Sequence, residues 1–346
     1  MISAMIERCA GIDAGKKFIA VCVTTGPVSG DARHEIRTFG TTVEPLRQLL
    51  GWLEENGCTH AVMESTGTYW KPVFNILEER IHVILINPHE VKARKGHKTD
   101  HKDAWRLAHL LRHGTITPSF IPPRPQRELR DPTRRRRKPI QIASGEKNRI
   151  DKVLQDANVK LSDVLSDIFG VSGQLMLEAL LEGKADAEAM AAFAKGSAKK
   201  KIPEIVASLE GPQMREHHCT MIRYSLGHLK FLEEQLLQLD DQIRNRICEA
   251  GYQKQWELLQ TLPGVQASTA AVIVAEVGPD TKAFESEKKL SSWAGVCPGN
   301  NRSAGKSKSS GTTKGNRWLR GALTESAWAA SKKRSGHLRE KIPQDR

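Results

Sequence analysis

The spacing of hydrophobic and polar positions changes character twice along the chain, dividing it into three regions. In the first, short apolar runs alternate with amphipathic stretches. Residues 8–14 and 17–25 read as two strands joined by a tight turn at Ala14-Gly15-Lys16, and His34 to Phe39 reads as a third. Leu46, Leu49, Leu50 and Leu53 recur at helical spacing and predict a helix over about 43–55. A strand over 59–64, a helix over 69–80, a strand over 81–87 and a helix over 101–113 follow, before Pro122, Pro123 and Pro125 close the region. In the second region Ile222, Leu229, Leu236 and Ile243 repeat every seven residues, with Ser225, Leu232, Leu239 and Arg246 at the other core position. That stripe suits a coiled-coil arm, or a long helix packed on its own domain. Ala185 to Lys200, rich in Ala and Lys, predicts a surface helix. In the third, Leu262-Pro263-Gly264-Val265 leads into an apolar helix over Ser268 to Val277, ended by Gly278-Pro279. This looks like half of a helix-hairpin-helix, whose backbone N–H groups would meet a phosphate, although Gln266 stands where a second glycine is usual. A plain turn before a core helix fits as well.

Composition narrows the partners. The 346 residues suffice for two or more domains, and the formal charge is +13. Arg124 to Lys138 holds eight basic and two acidic residues, and Arg302 to Arg346 twelve basic and three acidic. The rest of the chain is close to neutral, so the excess is concentrated, as a polyanion partner requires. Four consecutive cations, Arg134, Arg135, Arg136 and Arg137, with Lys138, are candidate phosphate contacts. Pro132 and Pro139 bracket them and predict a short extended or turn segment rather than a continuous helix. The six cysteines show no CxxC spacing and read as free thiols of a reducing compartment. His217-His218-Cys219 has no second ligand cluster beside it and reads as a polar helix start. No apolar run reaches membrane length, and no signal peptide is recognisable, so a cytoplasmic protein without a membrane partner is expected.

The candidate chemistry lies in four carboxylates. Asp13 follows the apolar approach Cys9-Ala10-Gly11-Ile12, Glu64 closes Ala61-Val62-Met63, and Asp100 and Asp103 stand three residues apart on a predicted helix, hence on one face. Three strands, then alternating helix and strand, is the element order of an RNase H-like α/β domain. Acids at strand ends facing a helix with two more can hold a pair of divalent cations for phosphoryl transfer. Gly295 to Asn316 is a basic, small-residue segment that reads as an open loop. It offers Ser303 between Arg302 and Lys306, with Ser307, Ser309 and Ser310 nearby, and supplies cations but no base for a serine nucleophile.

Taken together, Gly11-Ile12-Asp13, Glu64-Ser65-Thr66-Gly67-Thr68-Tyr69, Ile86-Asn87-Pro88, Lys98-Thr99-Asp100 with Asp103-Ala104, Leu262-Pro263-Gly264 and Gly295 to Ser303 resemble the DEDD transposases. That insertion-sequence family, related to Piv-type DNA invertases, joins a RuvC-like N-terminal domain to a serine-bearing C-terminal domain. The resemblance implies a RuvC-like domain over residues 1–120, a basic linker and helical or coiled-coil region over 121–250, and a mainly α transposase domain over 251–346. It implies that Asp13, Glu64, Asp100 and Asp103 bind Mg²⁺, with Mn²⁺ as a substitute, and that Ser303 forms a transient phosphoserine link to DNA. It also implies double-stranded DNA and a guide RNA as partners, a homo-dimer or tetramer, and a place at the prokaryotic nucleoid. Arg302, Lys306, Lys308 and Lys314 join the arginine tract as candidate nucleic-acid contacts. A DNA invertase or junction resolvase using the same acids with water is the alternative enzyme.

Two departures bear on activity. The bracketing prolines fall where the family carries continuous helix. The apolar face formed by Trp318, Leu319, Ala322, Leu323, Ala327 and Ala330 is followed by a polar tail, which predicts an uncovered face in a truncated or decayed copy, a nucleic-acid-binding protein without activity.

Overall fold

The computed structural model describes residues 5–332 apart from 66, 89–98, 184–185, 212, 300, 304–305, 310 and 313, with backbone only for 301–303 and 306–309. Two compact units divide at residue 121.

The first unit follows the predicted order. Strands β1 (Arg8–Ala14), β2 (Phe18–Thr25) and β3 (Arg33–Gly40) precede helix α1 (Val43–Glu55); β4 (His60–Glu64), α2 (Trp70–Leu77), β5 (His82–Ile86) and α3 (Asp100–Arg112) follow. The sheet order is β3-β2-β1-β4-β5. β1, β2 and β3 pair antiparallel, whereas β4 runs parallel to both β1 and β5. This is the mixed sheet that the RNase H-like reading requires. Alternation along the central strands gives the sheet two apolar faces. Ala10, Ile12, Ala61, Met63, Val83 and Leu85 pack in one cluster with Leu49, Leu53, Phe74 and Leu77 of α1 and α2. Cys9, Val62 and Ile86 on the opposite face meet Leu107 and Leu111 of α3.

The second unit is helical. Its helices are α4 (Arg124–Asp156), α5 (Leu161–Val164), α6 (Val171–Glu182), α7 (Ala187–Ala191), α8 (Ile202–Leu209), α9 (Glu216–Glu249), α10 (Gln253–Gln260), α11 (Ala267–Val277) and α12 (Glu287–Ala294). A hairpin of β6 (Asn301–Ser303) and β7 (Lys306–Ser309) precedes α13 (Arg317–Ser331). The frame is an antiparallel pair of long helices. Asp156 meets His218, Glu146 meets His228, Arg136 meets Asp240 and Glu128 meets Arg246. The heptad stripe of α9 therefore finds its partner within the chain: Ile222, Ser225, Leu229, Leu232 and Ile243 are buried. Among the described residues no helix is long and apolar enough to cross a membrane.

Three expectations are corrected here. Pro132 and Pro139 do not break the chain into an extended segment, because both lie inside the 33-residue α4. An interior proline costs about 3 kcal/mol, but Leu129 is fully buried against Ile243, Ile247 and Val274, and packing along α9 and α11 outweighs the lost backbone bonds. The stretch 185–200 is not one surface helix. Among its described residues α7 and a 3₁₀ turn (Gly196–Lys201) form, and Met190, Ala191 and Ala194 enter the core. Finally, the face of α13 is covered: Leu319 packs with Val277 and Ala294, and Ala322, Ser326 and Ala330 are buried, while Ala327 points outward. At Gly264, in a left-handed turn (φ +81°), a Cβ would lie 2.2 Å from the Ser326 carbonyl oxygen, so the turn after α10 seats directly on α13.

Between α4 and α9, buried Glu146 is bonded by Arg149, Ser225 and His228, which together pull its carboxyl down to about 2 from the usual 4.5. The unfolded chain binds this proton first as pH falls. The stabilisation is thus complete above about pH 4.5 and disappears as pH drops towards about 2. Thermal melts over that range should show a steep fall for the parent chain and a shallower one for Glu146→Gln. Parallel curves would remove Glu146 from the acid response.

Candidate active site

Asp13 and Glu64 are placed by strand register. β1 and β4 are parallel with Ile12 opposite Met63, so Asp13 and Glu64 are the next pair outward, on strands about 4.8 Å apart. Both continue the face of Gly11 and Val62, which carries α3. The approach of α3 depends on a missing side chain. A Cβ on Gly11 would lie 2.1 Å from the Ala104 carbonyl oxygen and 2.3 Å from the Ala108 nitrogen. Small residues on both sides (Ala20 and Cys22 against Ala104 and Ala108) let the helix backbone rest on the sheet. Cys9 donates to the Ala108 carbonyl, so α3 runs back along β1 with its N-terminus at the Asp13 end. Asp103 therefore stands one residue from the Gly11 contact and Asp100 one turn further out.

Thr99 caps α3 by accepting from the Lys102 N–H (3.3 Å), and Thr38 of β3 bonds His101 (3.2 Å), so the acidic turn is held from two sides. Two acids in a first helical turn face the positive end of the helix dipole. Asp13, Glu64 and Asp103 are half-buried and Asp100 is exposed. Strand register and the direction of α3 thus place all four predicted acids at one end of one sheet face, where among the described residues no three of their carboxylates lie within 4.8 Å of one another. This all-carboxylate donor set fits a hard divalent cation that takes oxygen ligands.

The segment predicted as an open loop forms a backbone hairpin, with Ser303 paired to Lys306. The side chains of Arg302, Ser303, Lys306 and Lys308 lie outside the described residues, as does the tail 333–346; Lys314 is exposed. The hairpin's base is narrow. Gly299 donates to Gly311 (2.9 Å), Asn316 donates to Trp293 (2.8 Å), and a Cβ on Gly315 would strike the Gly295 nitrogen at 2.3 Å.

Asn316 links this base to a buried carboxylate that sequence reasoning overlooked. Its Oδ1 accepts from the N–H groups of Trp318 and Leu319 at the start of α13, while its Nδ2 donates to Glu276 (2.7 Å). Glu276, fully buried, receives a bidentate pair from Arg134 (2.7 and 2.8 Å), and Arg130 donates to the Ala275 and Glu276 carbonyls. The visible signal was a lone acid in the apolar run Ala270 to Val277. The arginine tract is correspondingly divided. Arg134 is committed to Glu276 and Arg136 to Asp240 (3.0 Å), and Arg137 lies over Trp318 beside Gly321. Arg135, Arg137 and Lys138 are the exposed members.

Asp156, His217 and His218 form a separate group within reach of one ion. Two imidazoles suit a borderline transition metal better than Mg²⁺. His218 accepts the Arg215 N–H at Nδ1, which places its own proton on Nε2, directed at Asp156 (2.9 Å). That arrangement caps α9, in line with the expected polar helix start.

A family model of DEDD-type IS110 transposases, described as "Transposase", matches residues 10–159. A second, described as "Transposase IS116/IS110/IS902 family", matches residues 256–342. No curated protein matches. Among solved structures, the chain is similar to Thermus thermophilus RuvC at 15% identity and a TM-score of 0.26, over 32% of this chain and 99% of that one. It is also similar to T. thermophilus RuvC in complex with Holliday junction substrate, at 17% identity and a TM-score of 0.26, over 33% of this chain and all of that one.

Proposed function

The chain belongs to the IS116/IS110/IS902 family of transposases, and from that membership we propose that it cuts and rejoins DNA strands by serine chemistry supported by divalent cations at its four acids. The observation that supports the reading is the register that sets Asp13 and Glu64 on adjacent strand ends, with the first turn of α3, bearing Asp100 and Asp103, at the same end of the sheet. Those carboxylates would hold Mg²⁺ or Mn²⁺, which when bound neutralises phosphate charge and lowers the pKa of a nearby hydroxyl.

Ser303 is assigned the nucleophile's role from its place in the family motif. Its Oγ gives up its proton and attacks the scissile phosphorus, a new Oγ–P bond forms, the bond from phosphorus to the departing sugar oxygen breaks, and that oxygen takes up a proton, so none is gained or lost overall. The phosphoserine retains the phosphodiester's energy, so a second sugar hydroxyl can displace Ser303 and reseal the strand without a nucleotide cofactor. Arg302, Lys306, Lys308 and Lys314, with Arg135, Arg137 and Lys138 on α4, are assigned to phosphates. Family kinship further supports a guide RNA and an oligomer that brings the acids and the serine together from different subunits.

Labelled element ends incubated with protein, element RNA and Mg²⁺ should give a denaturant-resistant protein–DNA adduct. Ser303→Ala should abolish it, whereas Ser309→Ala should retain it. Cleavage without any adduct would instead identify hydrolysis by water, as in a junction resolvase.

A further inference from the structure

We propose that the exposed aromatic margin formed by α3 and the edge strand β3 is a stacking shelf for unpaired bases of a DNA strand leading to the four acids. The proposal rests on the active-site reading above and adds to it how the strand is held. α3 turns Ala104, Leu107, Ala108 and Leu111 inward, and the next stripe of the helix carries His101, Trp105, His109 and, at its C-cap, His113. Trp105 and His109 are stacked (centroids 5.4 Å apart, planes at 18°), His109 and His113 lie 4.3 Å apart, and His34 of β3 sits edge-on to Trp105 at 6.0 Å. β3 is the edge strand, and its residues His34, Ile36 and Thr38 face the same side as α3, because they pair with Thr24, Cys22 and Ala20. The helix leaves this margin uncovered: Trp105 is 41% and Ile36 38% exposed.

The row begins at the acids. His101 follows Asp100, and Trp105 lies two residues past Asp103, so a strand crossing the row reaches the carboxylates directly. The exposed part of the Trp105 indole accepts a base of any sequence, since every base offers a π-face, while His109, itself packed on His113, and His34 hold that ring in place. Burial, followed by repulsion from His113, His34 and Arg112, holds His109 below the usual imidazole range, and burial and Arg112 do the same for His34. Both rings are accordingly neutral at pH 7 and would meet bases rather than phosphates. Lys102 and Arg106 repeat the same spacing one position further round and supply a cationic margin for the backbone. From Ala104 to Arg112 the helix carries no acid. Bases inside a duplex are already stacked and present only their edges, so the shelf selects unpaired ones.

The test uses the full chain without divalent cation, so that binding is read apart from chemistry. Fluorescence anisotropy would compare a labelled single strand, the matching duplex, an abasic strand of the same length and the same sequence as RNA. Trp105→Ala should weaken single-strand DNA binding about tenfold. The salt dependence of that binding should stay unchanged, and Trp105→Phe should recover most of it. Duplex and abasic affinities should not move. Trp105→Leu, which keeps apolar bulk without a ring, should behave as Trp105→Ala and guards against a folding defect. Unchanged single-strand affinity, an equal loss on duplex or abasic DNA, or a loss confined to RNA would each overturn the proposal. Asp13→Asn separates the two readings, because it should bind the single strand normally while failing to cut. Normal binding by Trp105→Ala with intact cleavage would remove the shelf alone. A Trp105 effect in a chain whose acids prove dispensable would remove the active-site reading alone.

Discussion

Asp13→Asn should lower metal-dependent DNA cleavage by on the order of 10³-fold, the scale of losing one preorganised electrostatic contributor. It should also change stability in a way that ordinary core damage does not. A divalent cation held by the native acids and not by the unfolded chain stabilises the fold, so the melting temperature reports the site. The parent should gain stability on adding Mg²⁺ or Mn²⁺, by about 2.7 kcal/mol at a hundred times the dissociation constant, and the variant should lose most of that gain. Differential scanning fluorimetry with and without metal, run alongside the cleavage assay, reads both effects. Asp100→Asn should behave similarly, because it shares the α3 turn that faces Asp13. A metal-dependent shift left intact in both variants would sink the shared site.

Glu276→Ala should destabilise the second unit by about 3–5 kcal/mol, the cost of deleting one partner of a buried ion pair. The carboxylate is the common partner of Arg134 and Asn316, and its removal leaves the Arg134 guanidinium and the Asn316 amide without it. Glu276→Gln keeps the shape and should cost less. The damage should also extend beyond stability. Asn316 caps α13 and closes the base of the hairpin that bears Ser303, so adduct formation should fall in Glu276→Gln even where the chain remains folded. Urea unfolding gives the first quantity and the adduct assay the second. A loss below about 1 kcal/mol for Glu276→Ala would show that water or another carboxylate replaces it.

The first unit was legible because each of its elements declares itself locally. Apolar runs with their ends marked by Gly or polar residues define β1, β2, β4 and β5 to within a few residues, and the leucine spacing defines α1. The four acids were legible for the same reason, since strand ends and a first helical turn are positions that a short window specifies. The smallness of Gly11, Ala104 and Ala108 was visible too, but its use was not. Only the folded arrangement makes those three residues a contact that fixes how close Asp103 comes to Asp13.

The second unit resisted for a different reason, which is that its decisive partners lie far apart in the chain. Local rules oppose helix at Pro132 and Pro139, yet α4 runs through both because α9 and α11, more than a hundred residues away, bury Leu129 and pair with Arg134 and Arg136. Charge content alone assigned the whole arginine tract to nucleic acid, whereas Glu276 and Asp240 take two of its four arginines. The stripe on α9 announced a partner without saying which, and the face of α13 appeared uncovered because α11 and the Gly264 turn are distant in sequence. What the sequence by itself determined, then, was the identity and order of the sheet elements and the chemical type of the acids, because backbone periodicity and side-chain chemistry are local properties. What only the tertiary structure decided was which cations remain outward, which faces are covered and how near the helix stands to the sheet. Those depend on packing and charge pairing between segments whose separation along the chain carries no information about their distance in space.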